Sequence, residues 1–163
     1  MSHLILIMGV AGSGKSTIGR QLANEMGWPY HEADDFHSDA NKAKMAQGIP
    51  LDDHDRAPWL ASIRTAMESS IAAGQSAVFT CSALKEKYRQ ILCDGLPQTR
   101  LVYLSGSRDL LLARLQGRSG HYMKPEMLAS QLAALEPPAG ALTLDIGEPP
   151  EKLVAQIRRE FGL

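Results

Sequence analysis

Apolar residues in this chain follow two rhythms that alternate along its length. Apolar runs of strand length stand at residues 3 to 8, 28 to 33, 76 to 82, 100 to 106 and 142 to 147. A run such as HLILIM, with no polar alternation, suits a strand covered on both faces. Between the runs, apolar residues recur at helical spacing: Ile18, Leu22 and Met26; Trp59, Ile63 and Met67; Leu84, Tyr88, Ile91 and Leu92; Leu128, Leu132 and Leu135; Leu153, Ile157 and Phe161. Gly27 followed by Pro29 closes the first of these helices, while Pro58, Pro125 and Pro149 sit where proline is tolerated, at helix starts. Strands alternating with helices predict an α/β fold of three layers, with a mainly parallel five-stranded sheet and helices on both faces.

Length adds that this is one domain, residues 1–163, with no internal repeat or long linker. Residues 34 to 56 and 116 to 124 are weakly apolar and turn-rich, and are read as functional excursions, the second as a mobile lid. Charge excludes little but is informative: a formal net charge of -1 provides no global basic field for nucleic acid. LILIM is far too short to span a bilayer and lacks the flanks of a signal peptide, so no membrane association is expected and the chain reads as cytoplasmic. Cys81 and Cys93 form no C-x-x-C pair and are expected as reduced thiols.

The strongest local signal is GVAGSGKS, Gly9 to Ser16, placed directly after the first strand and before the first helix. Phosphates need many donors at close range. Gly9, Gly12 and Gly14 allow the backbone N–H groups of Val10, Ala11, Ser13 and their neighbours to approach, and the helix N-terminus adds partial positive charge. Lys15 is expected to bridge the outer phosphates of ATP, Ser16 to ligate Mg²⁺, and Thr17 to lie by the inner phosphate. A glycine turn that binds nothing would not need the strand, the lysine and the helix together. No N-K-x-D element supports guanine specificity, and SAVFTCS ends in Cys81 and Ser82 where a motor ATPase would carry a metal-binding carboxylate. A compact P-loop kinase for a small metabolite remains, with Glu32 or Asp34, at the end of the second strand, across the sheet from the loop. The polar stretch HEADDFHSDANKAKM also offers His31, Asp34, Asp35 and His37 as zinc ligands, but a strand sends alternate side chains to opposite faces, so His31 and Asp34 would not converge.

Five blocks, GVAGSGKST, EADDFHSDANKAKMAQGIPLDDHDRAPWL, CSALKEKYRQIL, YLSG and RSGHYMKPEMLASQLAALEPP, run in order from residue 9 to about 138. Together they resemble the small gluconate kinases, within the shikimate and adenylate kinase-like group of P-loop kinases. The resemblance implies ATP-dependent phosphorylation of D-gluconate at its 6-hydroxyl, with Mg²⁺, in a homodimer. It implies that Asp34 orients the acceptor hydroxyl and takes its proton, with Glu32 on the same strand face holding a metal-bound water. Here Glu32 and Ala33 depart from the family's more usual D-G-D. An acceptor with a carboxylate and a row of hydroxyls asks for a cation among hydrogen-bonding side chains. Arg56, His37, Lys85 and Arg89 are the candidates, the last two sharing one helix face; Asn41, Lys44 and Met45 match an N-x-x-K-M pattern and also read as a short helix packed by Met45. Arg114 and Arg118, four apart beside Gly117 and Gly120, suggest a helix breaking into the lid. In the resembling kinases such arginines reach adenine and the phosphates, and His121 is a lid or acceptor contact. Two alternatives stay open: a kinase for another hydroxy acid such as shikimate, and a regulatory nucleotide-binding module.

Overall fold

The computed structural model describes residues 2–117 and 125–163. β1 (Leu4–Met8) is buried at every position because alternate side chains enter two separate cores. Ile5 and Ile7 face one side, where α1 (Lys15–Met26) contributes Ile18 and Leu22, and α7 (Pro150–Phe161) contributes Leu153, Val154 and Ile157. Leu4, Leu6 and Met8 face the other, against Trp59, Leu60, Ile63 and Met67 of α3 (Asp53–Ala72), and Tyr88 and Leu92 of α4 (Glu86–Cys93). Each such aliphatic side chain contributes about 1.5–3 kcal/mol by leaving water, so the two cores together clamp β1 in the middle of the sheet.

Among the described residues the sheet has five strands in the order β2-β3-β1-β4-β5, every pair parallel. The others are β2 (Tyr30–Glu32), β3 (Ala77–Thr80), β4 (Thr99–Ser105) and β5 (Leu142–Asp145). All five lie within the runs read from the sequence or one residue from them, and all but β4 are shorter: Trp28, Pro29 and Ala33 fall outside β2. The chain fills one side of β1 through β2 and β3, then crosses to β4 and β5 on the other. That reversal opens a crevice at the carboxyl ends of β1 and β3, where open α/β sheets take their ligands.

One helix begins earlier than its proline suggested. α3 is capped by Asp52, whose side chain accepts from the Asp55 N–H while the Asp55 carboxylate accepts from the Asp52 N–H. This capping box overrides the proline signal, and Pro58 lies inside the helix. Residues 34 to 56 hold more structure than a turn-rich reading allowed. A 3-10 turn covers Ala33–Phe36, and α2 (Asp39–Ala46) follows, capped by Ser38. The residue of α2 that is buried is Asn41, with Met45 half-buried. α5 (Arg108–Gln116) and α6 (Pro125–Ala134) flank residues 118–124, so the expected lid lies outside the described residues. Cys81 and Cys93 are both free; burial pushes the Cys81 thiol up to about 12 and the Cys93 thiol up to about 11. No helix among the described residues is long and apolar enough to cross a membrane.

Candidate active site

The loop after β1 folds back tightly enough that a Cβ at Gly9 would stand 2.6 Å from Ser13 Oγ and 3.1 Å from Leu104 O. Gly14 caps α1 in the left-handed region, φ 92°, and no side chain caps the helix. The first N–H groups of α1 are therefore left to a ligand, and an anion is what helix N-termini accept. Lys15 Nζ reaches back across the loop to Val10 O at 3.1 Å. Ala11 N–H, by contrast, is already engaged: it donates to Gln131 Oε1 of α6 at 2.7 Å. Gln131 was not legible as a site residue, because nothing near it in the chain links it to a loop 120 positions away.

Glu32 closes β2 directly against the start of α1. Its Oε1 accepts from Ser16 Oγ at 2.6 Å and its Oε2 from Tyr30 OH at 3.0 Å, with Arg20 at 3.6 Å. Among the described residues no group of three or more His, Cys, Asp and Glu side chains gathers to cage a metal. A hydroxyl and a carboxylate beside a phosphate-binding loop are instead the donor set of Mg²⁺, which prefers oxygen and binds through few protein ligands plus phosphates. The residues fit that ion.

The expectation that Asp34 shares a strand face with Glu32 is corrected: β2 ends at Glu32, and the chain has already turned into the 3-10 segment at Asp34. Trp59 Nε1 donates to Ala33 O at 2.7 Å and anchors this turn to α3. Asp34 lies open to solvent. The surrounding protein nevertheless removes enough water to raise its carboxyl above the ordinary value; Lys15 opposes that shift, and Glu32 and Asp35 add to it. Lys15 and Asp34 thus act on each other's charge, as two groups on one cleft should.

On the acceptor side, the sequence-predicted cations divide. Arg56 Nη1 donates to Tyr88 OH at 3.2 Å, its guanidinium carbon 5.5 Å from the ring centroid, and Lys85 Nζ lies 5.9 Å from the same ring. Tyr88 OH in turn donates to Asp53 Oδ1 at 2.6 Å, and Lys87 pairs with the same carboxylate. Those contacts, Lys87 first, hold Asp53 down at about 2. Arg89 goes elsewhere. It is 3% exposed and donates to Ala83 O at 2.8 Å, Glu136 O at 2.7 Å and the Glu86 carboxylate. It is a clamp inside the protein, which corrects its expected place in the acceptor pocket. Lys85 does not share a helix face with it either: α4 starts at Glu86, and Ala83 takes the left-handed region at φ 45° just before. Tyr88, read from the sequence as a core position, is the residue at which the cations meet.

His37 is 7% exposed and stacks on Trp59 with ring centroids 4.2 Å apart. Burial and the nearby Arg56 and Lys42 press it down to about 4. His31 stacks instead on Phe79 at 4.6 Å. Arg114 is half-buried, and its guanidinium donates to Ile146 O just beyond β5. Thr17 is exposed beside the loop. Arg118 and His121 lie outside the described residues.

Residues 11–136 match the family model described as shikimate kinase. The gluconokinase of Gluconobacter oxydans is 47% identical over 137 residues, covering 83% of this chain and 76% of that protein. A solved sugar kinase from Janibacter sp. HTCC2649 superposes with a TM-score of 0.91 at 41% identity, over 98% of this chain and 94% of the other. A gluconokinase from Sinorhizobium meliloti 1021 superposes at 0.83 and 36% identity, over 98% and 95%.

Proposed function

The chain belongs to the gluconokinase family of P-loop kinases, and on that premise we propose that it transfers the γ-phosphoryl group of ATP to the 6-hydroxyl of D-gluconate, giving 6-phospho-D-gluconate and ADP. The observation that carries the reading is one cleft with two differently equipped ends. At one end stand the open N-terminus of α1, Lys15 and the Ser16–Glu32 pair. At the other, Arg56 and Lys85 converge on Tyr88; Asp34 is near enough to Lys15 to feel its charge.

Phosphoryl transfer asks the protein for positioning and charge more than for covalent chemistry. In this reading the backbone of Gly9 to Thr17 cradles the phosphates and Lys15 neutralises the outer ones. Ser16, with Glu32 behind it, would hold Mg²⁺, which supplies further neutralisation of phosphate charge when bound. Asp34 accepts a hydrogen bond from the acceptor hydroxyl and aims its oxygen along the line of attack. As the new O–P bond forms and the bond to the ADP oxygen breaks, the hydroxyl proton passes to Asp34. Arg56 and Lys85 engage the gluconate carboxylate, and His37 a hydroxyl of its chain. Arg114 serves the nucleotide side; Arg118 stabilises the charge on the transferring phosphoryl oxygens, and His121 contacts the acceptor. The enzyme works in the cytoplasm, where two free thiols are ordinary, and as a homodimer, which a sedimentation mass equal to one chain would overturn.

A coupled assay of ADP release tests the activity with gluconate, shikimate, gluconolactone or no acceptor. Turnover is expected with gluconate alone. Equal turnover without acceptor, or faster turnover on shikimate, would sink the proposal.

A further inference from the structure

Asn41 is a buried polar residue, 5% exposed, on a helix whose neighbouring positions Asp39, Ala40, Lys42 and Ala43 face water. Its side-chain amide makes two contacts, and together they locate a proton. Nδ2 donates to Asp55 O at 2.8 Å. A backbone carbonyl can only accept, so the flipped amide would set two acceptor oxygens against each other, and the nitrogen must lie on this side. The same Nδ2 lies 3.3 Å from His37 Nδ1. With Nδ2 a donor, Nδ1 must accept, and an imidazole that accepts at Nδ1 carries its proton on Nε2.

The ring has little freedom to do otherwise. It lies nearly flat on Trp59, 12° between planes, and Trp59 is tied to the turn that carries Asp34. Asp55, which receives the Asn41 bond, is held by both oxygens to Lys44 at 3.0 Å. Nε2 has no protein partner among the described residues. A neutral ring with a proton on a free nitrogen is a hydrogen-bond donor waiting for an oxygen.

We propose that Asn41 is a positioning residue for the acceptor: it holds His37 as the neutral Nε2–H tautomer, so that His37 donates to a hydroxyl oxygen of the polyol chain. This deepens the gluconokinase reading and rests on it. The consequence is directional. His37 recognises an oxygen that can accept and takes no proton from the acceptor, which leaves Asp34 as the group that does. The fixed donor also discriminates: an acceptor lacking that hydroxyl forgoes this hydrogen bond.

The tautomer is read directly by long-range ¹H–¹⁵N correlation on the uniformly labelled full chain without substrate. The Nε2–H pattern is expected for His37, and an Nδ1–H pattern would overturn the inference. In Asn41→Asp the carboxylate cannot donate to Nδ1, so the tautomer should switch. KM for gluconate should then rise about fivefold, the equivalent of one ordinary hydrogen bond, with kcat changing less than KM. A switched tautomer with an unchanged KM would refute the assignment. Should Asn41→Asp not fold, His37→Phe keeps the stack on Trp59 and removes the donor; the same rise in KM is expected, and an unchanged KM refutes it. The resonance experiment needs no turnover, so a wild-type protein inactive on gluconate would remove the functional reading while leaving the tautomer to stand or fall by itself.

Discussion

Asp34 and His37 sit three residues apart and are pushed in opposite electrostatic directions by the same cause, loss of water. For Asp34 the shift is upward, which makes its carboxylate a somewhat better proton acceptor than an ordinary aspartate. Replacing it with Asn keeps a similar shape but removes the proton acceptor, so kcat of Asp34→Asn should fall about 10²–10⁴-fold while ATP affinity changes little. A kcat near wild type would show that Asp34 is not that group. For His37 the shift is downward, to about 4, and the sign determines a stability effect. Above pH 6.5 the ring is neutral in folded and unfolded chains alike and contributes nothing to pH dependence. As pH falls from 6.5 toward 4 the unfolded chain takes up a proton that the folded chain refuses, so stability is lost through that window, on the order of 2 kcal/mol. Urea melts of wild type and His37→Gln across that range should show the variant losing this share of the acid sensitivity; parallel curves would contradict it.

At the scale of elements, α6 and the residues just after it strap the loop after β1 to the start of α4. Gln131 holds Ala11 of the phosphate loop, while Glu136 N–H donates to Leu84 O at 2.8 Å and the Glu136 carboxylate accepts from Glu86 N–H at 2.7 Å. That last bond caps α4 from 50 residues away, where Lys85 at the cap position makes no side-chain bond. Arg89 completes the strap by bridging Ala83 O and Glu136 O. Removing it leaves the buried Ala83 carbonyl without this partner, a loss of about 1–3 kcal/mol. Arg89→Met should therefore lower the unfolding free energy by about 2 kcal/mol in a urea melt, with a smaller effect on the gluconate KM. If instead KM rose at least tenfold with no loss of stability, Arg89 would belong to the acceptor pocket after all. The sequence could not separate Arg89 from Lys85, since both are basic residues just after one strand end. The separation came from where α4 starts and from which carbonyls lie under it.

For the whole molecule, the sheet reversal at β1 brings residues from distant parts of the chain to one crevice, so ligand binding and folding are coupled. A nucleotide bound to the folded chain alone stabilises it by mass action, about 2.7 kcal/mol at a hundred times its Kd. Thermal unfolding should therefore move up by several degrees with ATP and Mg²⁺. The shift should be largely lost in Lys15→Met, whereas an undiminished shift would place the phosphates elsewhere.

What the sequence determined by itself is local. The phosphate loop is a strand, a turn and a helix contiguous in the chain, and its glycines meet backbone demands that no distant contact alters. The buried strands were likewise legible, because a continuous apolar run is consistent with only a few surroundings. Tertiary structure decided everything that depends on which groups meet across the fold. It turned Asp34 off the strand of Glu32, drew Arg89 inward, gathered Arg56 and Lys85 at Tyr88, and brought Gln131 to the phosphate loop. It also oriented Asn41 between His37 and Asp55. Hydrogen bonds require partners within about 3 Å, and for these side chains the partners lie outside the reach of any local pattern.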